Sequence, residues 1–232
     1  MEAIVLAGGL GTRLRGVVDD IPKPMAPVQG RPFLAFVLDQ LVEAGFETAI
    51  LAVGYRHEAI RSYFGEDYRS LALHYSVERE PLGTGGAIRM ACTQASQGDI
   101  FVLNGDTYVE LDFRAMLHVH VQRRAQLTVA ACEVPDVARY GALLVANGFI
   151  RGFSEKGHSG PGWINAGAYV MGSELTERLP PPGAFSFERD VLIPEVKSIQ
   201  PLAFPVAGLF VDIGVPEDYA RAQELFSQRF TP

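Results

Sequence analysis

Short apolar runs recur along the first half of this chain and alternate with stretches whose apolar residues return every three or four positions. The runs are Ala3 to Leu6, Thr48 to Val53, Leu71 to Tyr75, Ile100 to Leu103 and Leu127 to Ala131, each the length of a buried strand. Between them, Phe33 to Ala44 sets Phe33, Phe36, Val37, Leu38 and Leu41 near one side and ends at Gly45, which predicts a helix closed by a glycine. A second helix is expected over Phe113 to Val121, with Asp112 as its N-cap. This alternation predicts a parallel, doubly wound α/β sheet. After Tyr140 the segments shorten. Gly141 to Val145, Ile150 to Phe153 and Trp163 to Met171 read as strands, with Asn147-Gly148 as a two-residue hairpin turn. Pro180-Pro181-Pro182-Gly183 breaks the chain before a helix expected near Phe187 to Val196.

Composition narrows the class. The 232 residues, 48% apolar and 20% charged, suffice for one domain with a core. A net charge of -7 lacks the basic stripe of a sequence-independent nucleic-acid binder, so an anionic ligand must be held by local cations and backbone amides. Cys92 and Cys132 lack the close spacing of a zinc or redox pair and read as small buried hydrophobes. No basic-then-apolar leader precedes Ala3 and no run of about 18 apolar residues occurs, so a cytoplasmic location with no membrane partner is expected.

The chemistry starts where the first strand ends. Leu6 to Leu14 reads Leu-Ala-Gly-Gly-Leu-Gly-Thr-Arg-Leu. Gly8, Gly9 and Gly11 let the backbone turn and approach phosphates closely, and Arg13 adds a forked cationic donor. A Walker loop would need a lysine near its end, and a dinucleotide fingerprint a glycine where Leu14 stands. A plain strand-to-helix turn would account for the glycines alone. It would not account for Pro22-Lys23-Pro24-Met25-Ala26-Pro27, whose prolines are expected to forbid helix, hold the chain extended and present Lys23 as a phosphate contact.

These two segments resemble the signature of the sugar-1-phosphate nucleotidylyltransferases, Gly-Gly-x-Gly-Thr-Arg-Leu followed by a proline-flanked lysine. The likeness covers nearly the whole chain in the family's order. It includes Glu80-Pro81-Leu82-Gly83-Thr84-Gly85-Gly86-Ala87, Asn104-Gly105-Asp106, Tyr140-Gly141, Glu155-Lys156, Asn165-Ala166-Gly167 and Asp212-Ile213-Gly214. Wording and length are most similar to the guanylyltransferases that act on D-glycero-α-D-manno-heptose 1-phosphate in bacterial surface-polysaccharide pathways. The resemblance implies a Rossmann-like, doubly wound mixed sheet, mostly parallel and GT-A-like. It also implies a single domain over 1–232, with 1–135 mainly binding nucleotide and 136–232 mainly binding sugar. A C-terminal β-helix of hexapeptide repeats, common in mannose-1-phosphate guanylyltransferases, is not expected.

The implied reaction is attack by a sugar-1-phosphate oxygen on the α-phosphorus of a nucleoside triphosphate, GTP favoured, giving nucleotide-sugar and pyrophosphate. Because the nucleophile is already an anion, it needs positioning and charge stabilisation more than a base. Carried over residue by residue, catalysis falls to Arg13, Lys23 and Asp106. Nucleotide binding falls to Leu6, Ala7, Gly8, Gly9, Gly11 and Thr12 with Arg13 and Lys23, and further along to Glu78, Glu80, Gly83, Thr84, Asn104 and Gly105. Sugar-phosphate binding falls to Tyr140, Gly141, Glu155, Lys156 and Asn165; residues after Tyr140 should form the sugar lid. Asp106 and Asp212 are implied to hold Mg²⁺, whose preference for a few hard oxygen ligands suits them. Read alone, Asp212 serves equally as a turn or cap residue, and Asp106 less readily so. Asp99, Glu110 and Asp112 stay outside the ligand set.

Glu78 and Glu80 precede the loop that contacts the base in resembling enzymes. One carboxylate can accept both the N1–H and the N2 amino group of guanine, so either glutamate is a candidate reader. Four alternatives stay open: a mannose-1-phosphate guanylyltransferase, a glucose-1-phosphate uridylyl- or thymidylyltransferase, transfer to a non-sugar acceptor such as choline phosphate or a pterin, and a regulatory nucleotide-sugar-binding homologue. The last would be expected to lack Arg13, Lys23 or an aspartate, and none is missing. Apolar segments after Tyr140 are compatible with a homodimer.

Overall fold

In the computed structural model the described residues are 1–9, 21–96, 98–154, 157 and 159–230. The elements begin with β1 (Glu2–Leu6), β2 (Pro27–Val28), β3 (Arg31–Pro32), α1 (Phe33–Ala44), β4 (Thr48–Val53), α2 (His57–Phe64), β5 (Asp67–Tyr68) and β6 (Leu71–Val77). Next come α3 (Gly83–Cys92), β7 (Ile100–Asn104), β8 (Thr107–Val109), α4 (Phe113–Gln122), β9 (Leu127–Val134), β10 (Leu143–Ala146), β11 (Phe149–Phe153) and β12 (Gly162–Met171). The chain closes through α5 (Ser173–Glu177), a π-helical turn (Phe187–Leu192), α6 (Val196–Ile199), β13 (Leu202–Val206), β14 (Phe210–Asp212) and α7 (Pro216–Arg229).

Among the described residues a ten-stranded sheet runs in the order β10-β11-β13-β9-β12-β7-β1-β4-β6-β5. The expected parallel character belongs to β7, β1, β4 and β6, and to the β9–β13 pair. β12 runs antiparallel to both β7 and β9, which makes the sheet mixed. Both faces of the parallel half are covered. Ala3, Val5, Leu51 and Leu103 join a core with α1 and α7, whereas Ile4, Ile50, Ala52 and Val102 pack with Ala87, Ile88 and Ala91 of α3. Burial on two sides is why β1, β4 and β7 read as unbroken apolar runs, whereas β6 alternates and leaves His74 exposed.

Local chemistry sets the element ends. Gly45 adopts φ 81 and its N–H reaches the carbonyls of Leu41 and Val42, so α1 stops where a residue free of Cβ can turn left-handed. Asp112 caps α4 by accepting from the Ala115 N–H at 2.9 Å. Asn147 and Gly148, at φ 53 and 76, make the two-residue turn between antiparallel β10 and β11.

Four expectations are corrected. Lys23–Met25 forms one 3-10 turn, closed by Met25 N–H to the Pro22 carbonyl at 2.8 Å, because a proline in a first turn has no N–H to lose; Lys23 is buried there instead of being presented on extended chain. The strand expected from Gly141 starts at Leu143, since Gly141 turns at φ 82. The helix expected over Phe187 to Val196 splits into the π-helical turn and α6, with Pro194 between them unable to donate. Cys132 is buried but Cys92 is only half-buried. Burial pushes the Cys92 thiol up to about 11, which leaves it unreactive.

No helix among the described residues is long and apolar enough to cross a membrane. α7 docks on α1 through Phe226, whose ring stacks on Phe33 at 5.7 Å and meets Phe36 edge-on at 4.7 Å.

His120 of α4 is 2% exposed and hydrogen-bonded through Nδ1 to the Thr128 hydroxyl at 2.8 Å. Burial lowers its pKa below 6.5, with Asp99 opposing. The folded state therefore resists protonation that the unfolded chain accepts, so stability is full above pH 6.5 and declines as pH falls towards the folded value. In His120→Asn this component should vanish. Urea unfolding at stepped pH would show a shallower slope of stability against pH below about 6.5.

Candidate active site

Four parallel strands, β7, β1, β4 and β6, end side by side, and backbone hydrogen bonds carry the contact beyond their ends. Ala7 N–H reaches the Ala52 carbonyl at 2.7 Å, Gly105 N–H the Leu6 carbonyl at 2.8 Å, and Glu78 N–H the Val53 carbonyl at 2.8 Å. Only glycine fits at position 105, because a Cβ there would lie 2.8 Å from the Leu6 carbonyl oxygen. That close approach sets Asp106 at the carboxyl edge of the sheet, where ligands bind in open α/β folds.

Asp212 arrives from the other end of the chain. β14 pairs antiparallel with β8, setting Asp212 opposite Thr107, and Ile213 N–H donates to the Asp106 carbonyl at 3.1 Å. Lys23 completes the group. Its ammonium forms a very short ion pair with Asp106 and lies 3.7 Å from Asp212 Oδ1. α7 ties the lysine segment to the aspartate segment, since the Tyr219 hydroxyl and Gln223 Nε2 both donate to the Pro27 carbonyl.

Burial, followed by the neighbouring Asp106 carboxylate, raises the Asp212 pKa; Lys23 and the Gly214 N–H, which donates at 2.7 Å, act the other way. The Asp106 and Asp212 side chains are 33% and 32% exposed, so water and phosphate oxygens can reach both. Two hard oxygen donors turned towards one cationic group, open on a further side, are a donor set that fits magnesium. Glu110 and Asp112 have other work: Glu110 binds Arg229 and the Leu209 N–H, and Asp112 caps α4.

Two cavities meet at this group. One, of about 410 Å³, is bounded by Gly8, Gly9, Glu78, Pro81, Gly83 and Ala87. The other, of about 330 Å³, is bounded by Arg139, Tyr140, Asn165, Tyr169, Glu188, Asp212 and Asp218 among others. Leu6, Lys23, Thr84, Asn104 and Asp106 line both. Asn165 owes its place to an irregularity in β12. Between its pairings Asn165 to Ala131 and Tyr169 to Val129, β12 advances four residues while β9 advances two. Asn165 then donates to the Tyr169 hydroxyl at 2.7 Å and accepts from Gly167 N–H at 3.0 Å. Gly167, at φ 72, leaves room for Asn104, whose Nδ2 would stand 2.5 Å from a Cβ.

The second glycine motif has a packing duty. A Cβ on Gly85 would strike the Phe185 ring at 2.2 Å, and one on Gly86 the Gly183 carbonyl at 2.4 Å. The N–H groups of Gly85 and Gly86 both point to the Phe185 carbonyl, at 2.9 and 3.3 Å, so these amides of α3 are already engaged. Gly8 and Gly9 do not adopt positive φ. Gly8 instead fits closely against Gly54 and Glu78, while a Cβ on Gly9 would meet nothing within 4 Å.

Of the residues singled out in the sequence, Leu6, Gly8, Gly9, Lys23, Glu78, Gly83, Thr84, Asn104 and Asp106 border the first cavity. Tyr140, Asn165 and Asp212 border the second. Glu80 is exposed and borders neither, and Ala7, Gly105 and Gly141 support neighbours that do. Gly11, Thr12, Arg13, Glu155 and Lys156 lie outside the described residues. Arg139, Tyr169, Glu188 and Asp218 were not foreseen. Arg139 forks onto Asp218 at 3.2 and 2.5 Å, a pairing between segments with no sequence signal to join them.

The model of the family described as nucleotidyl transferase matches residues 2–229. The chain belongs to the nucleotidyl transferase family. Within it, the chain is 41% identical over 224 residues to the D-glycero-alpha-D-manno-heptose 1-phosphate guanylyltransferase of Aneurinibacillus thermoaerophilus, covering 97% of each. It is 38% identical to the Campylobacter jejuni protein of the same name, covering 94% of this chain and 97% of that one. Among solved structures, HddC from Yersinia pseudotuberculosis complexed with GMP-PN superposes with a TM-score of 0.86 at 38% identity, covering 97% of this chain and 99% of that one. The mixed α/β sheet and its helices are the fold of these nucleotidyl transferase relatives.

A raised carboxyl pKa means that ionised Asp212 weakens the folded state, and that this loss grows as pH rises through the folded value. In metal-free buffer at pH 7, Asp212→Asn should therefore melt at the same temperature as the parent or a few degrees higher. Calorimetry with a chelator present checks it, and a large fall in Tm would contradict the electrostatic account.

Proposed function

We propose that this chain transfers a guanylyl group from GTP to D-glycero-α-D-manno-heptose 1-phosphate, releasing pyrophosphate and a GDP-heptose for surface-polysaccharide assembly. The observation that carries the reading is the meeting of two cavities at a wall that includes Lys23 and Asp106. Two substrates bound there would present their phosphates to one cationic side chain. The names of the relatives reported above supply the guanine and the heptose, and dependence on cytosolic GTP argues for a reaction in the cytoplasm.

In the proposed reaction a phosphate oxygen of the sugar 1-phosphate forms a bond to the α-phosphorus of GTP, and the bond from that phosphorus to the bridging oxygen of the β-phosphate breaks. No proton need be removed from the nucleophile. The barrier lies in bringing two anions together in line, so fixed charge and placement dominate. Lys23, buried on a stiff turn, offsets the repulsion where the phosphates converge. Arg13 is assigned to the triphosphate, and Glu155, Lys156, Asn165, Tyr140 and Gly141 to the sugar phosphate. Asp106 and Asp212 would hold Mg²⁺, which supplies Lewis-acid stabilisation of the phosphoryl charge when bound. Residues 1–135 provide most of the nucleotide cavity and 136–232 most of the sugar cavity.

For the base, we favour Glu78 over the exposed Glu80. Glu78 Oε2 accepts from Leu82 N–H at 2.9 Å, which fixes the carboxylate at the cavity wall. Its other oxygen would accept from guanine.

Pyrophosphate release across the four ribonucleoside triphosphates and dTTP, against heptose, mannose and glucose 1-phosphates with Mg²⁺, tests the assignment. GTP with heptose 1-phosphate should give the highest kcat/KM. Asp106→Asn, Asp212→Asn and Lys23→Ala should each cost about 10²-fold or more in kcat while remaining folded. Normal rates in any folded variant would refute its role. Glu78→Gln keeps an acceptor for Leu82 but turns a donor towards guanine, so GTP preference over ATP should fall about 10-fold or more. An unchanged preference would remove Glu78 from base reading.

A further inference from the structure

Glu188 lines the smaller cavity and is exposed; its carbonyl accepts from Ile193 N–H at 2.9 Å, while its carboxylate makes no hydrogen bond or ion pair among the described residues. Its backbone is held firmly. Phe187 N–H donates to Thr84 Oγ1 at 3.0 Å, Ser186 N–H to Asp190 Oδ2 at 2.7 Å, and Arg189 N–H to Ser186 Oγ at 3.2 Å. The Phe187 ring meets Tyr169 edge-on at 5.6 Å, and the Gly85–Phe185 packing locks the preceding residues against α3. A short π-helical turn clamped on three sides thus presents one unpaired carboxylate to a cavity that must admit an anion.

Charge dictates how a sugar phosphate would lie there. Its phosphate is repelled by Glu188 and attracted by Lys23 and Arg139, while its hydroxyls can donate to Glu188. Depth adds a second constraint. Gly167 and Tyr169 are buried and Asn165 half-buried, whereas Glu188 stands at the exposed rim. With its phosphate near Lys23 and its ring against these deeper residues, a pyranose would have its exocyclic arm free to extend towards the rim. A heptose arm carries two vicinal hydroxyls, at C6 and C7, which match the two oxygens of one carboxylate.

We propose that Glu188 accepts hydrogen bonds from the C6 and C7 hydroxyls of the heptose arm and thereby sets the preference for a heptose over a hexose phosphate. The inference rests on the heptose reading above and names the residue that would enforce it. α-D-Mannose 1-phosphate is the matched probe, since it differs from the heptose compound by one hydroxymethylene unit of the arm.

Steady-state kinetics of wild type, Glu188→Gln and Glu188→Ala with each sugar phosphate, at saturating GTP and Mg²⁺, decide it. Expected is a loss of kcat/KM of about 10- to 100-fold for the heptose phosphate, mainly through KM, with a loss at least about 3-fold smaller for mannose 1-phosphate, which offers a C6 hydroxyl but no C7 hydroxyl, and the KM for GTP unaltered. Glu188→Asp, with its shorter arm, should fall between wild type and Glu188→Gln. Equal losses on both sugars, or no loss on either, would overturn the role of Glu188 while leaving the guanylyltransferase reading intact. A wild-type protein inactive on the heptose phosphate would overturn that reading, and this inference with it.

Discussion

Two carboxylates 106 positions apart in the sequence repel each other unless positive charge stands between them, and Lys23 supplies that charge. Its ammonium touches Asp106 and lies within ion-pair distance of Asp212. Everything that brings the three together is ordinary folding: a proline-bounded turn, the β8–β14 pairing and the docking of α7 through Phe226. The arrangement works against stability at Asp212, where burial and a like charge raise the cost of ionisation. A fold that keeps such a carboxylate gives up some stability for a place where cations and phosphates can gather.

The mixed sheet sets the two halves of the site. Parallel strands ending together create an edge rich in backbone turns, which suits a nucleotide. Antiparallel β12 then crosses between β7 and β9, and its bulge sets Asn165 beside the Tyr169 hydroxyl at the cavity wall. One sheet therefore offers an edge to one ligand and part of a face to the other.

Much of this was legible in the sequence, for physical reasons. β4 and α1 could be bounded to the residue because two-sided burial demands an unbroken apolar run and Gly45 marks a left-handed stop. Asp112 and Asn147-Gly148 declared themselves through local hydrogen bonding and positive φ. What stayed hidden depended on distant partners. Prolines at Pro22 and Pro24 argued for extended chain, yet a single 3-10 turn needs no N–H from them. Gly85 and Gly86 stood in the sequence only as part of a family motif, and their fit against Phe185 and Gly183 exists only once residues about a hundred positions later fold back. Arg139, Asp218 and Glu188 carry no spacing that announces them, since what joins them is a cavity built from β12, the π-helical turn and α7.

The interlocking of Gly85 and Gly86 with the Gly183–Phe185 stretch has a thermodynamic consequence. The loop bordering one cavity and the turn bordering the other form one packed piece, so a ligand that fixed either of them would fix part of the wall of the other cavity. Linkage makes that help mutual: the factor by which bound nucleotide tightens the sugar phosphate must equal the factor in the opposite direction. Contact among Gly85, Gly86 and Gly183 is thus a route by which two binding events would become interdependent without any change in the shape of the sheet beneath them.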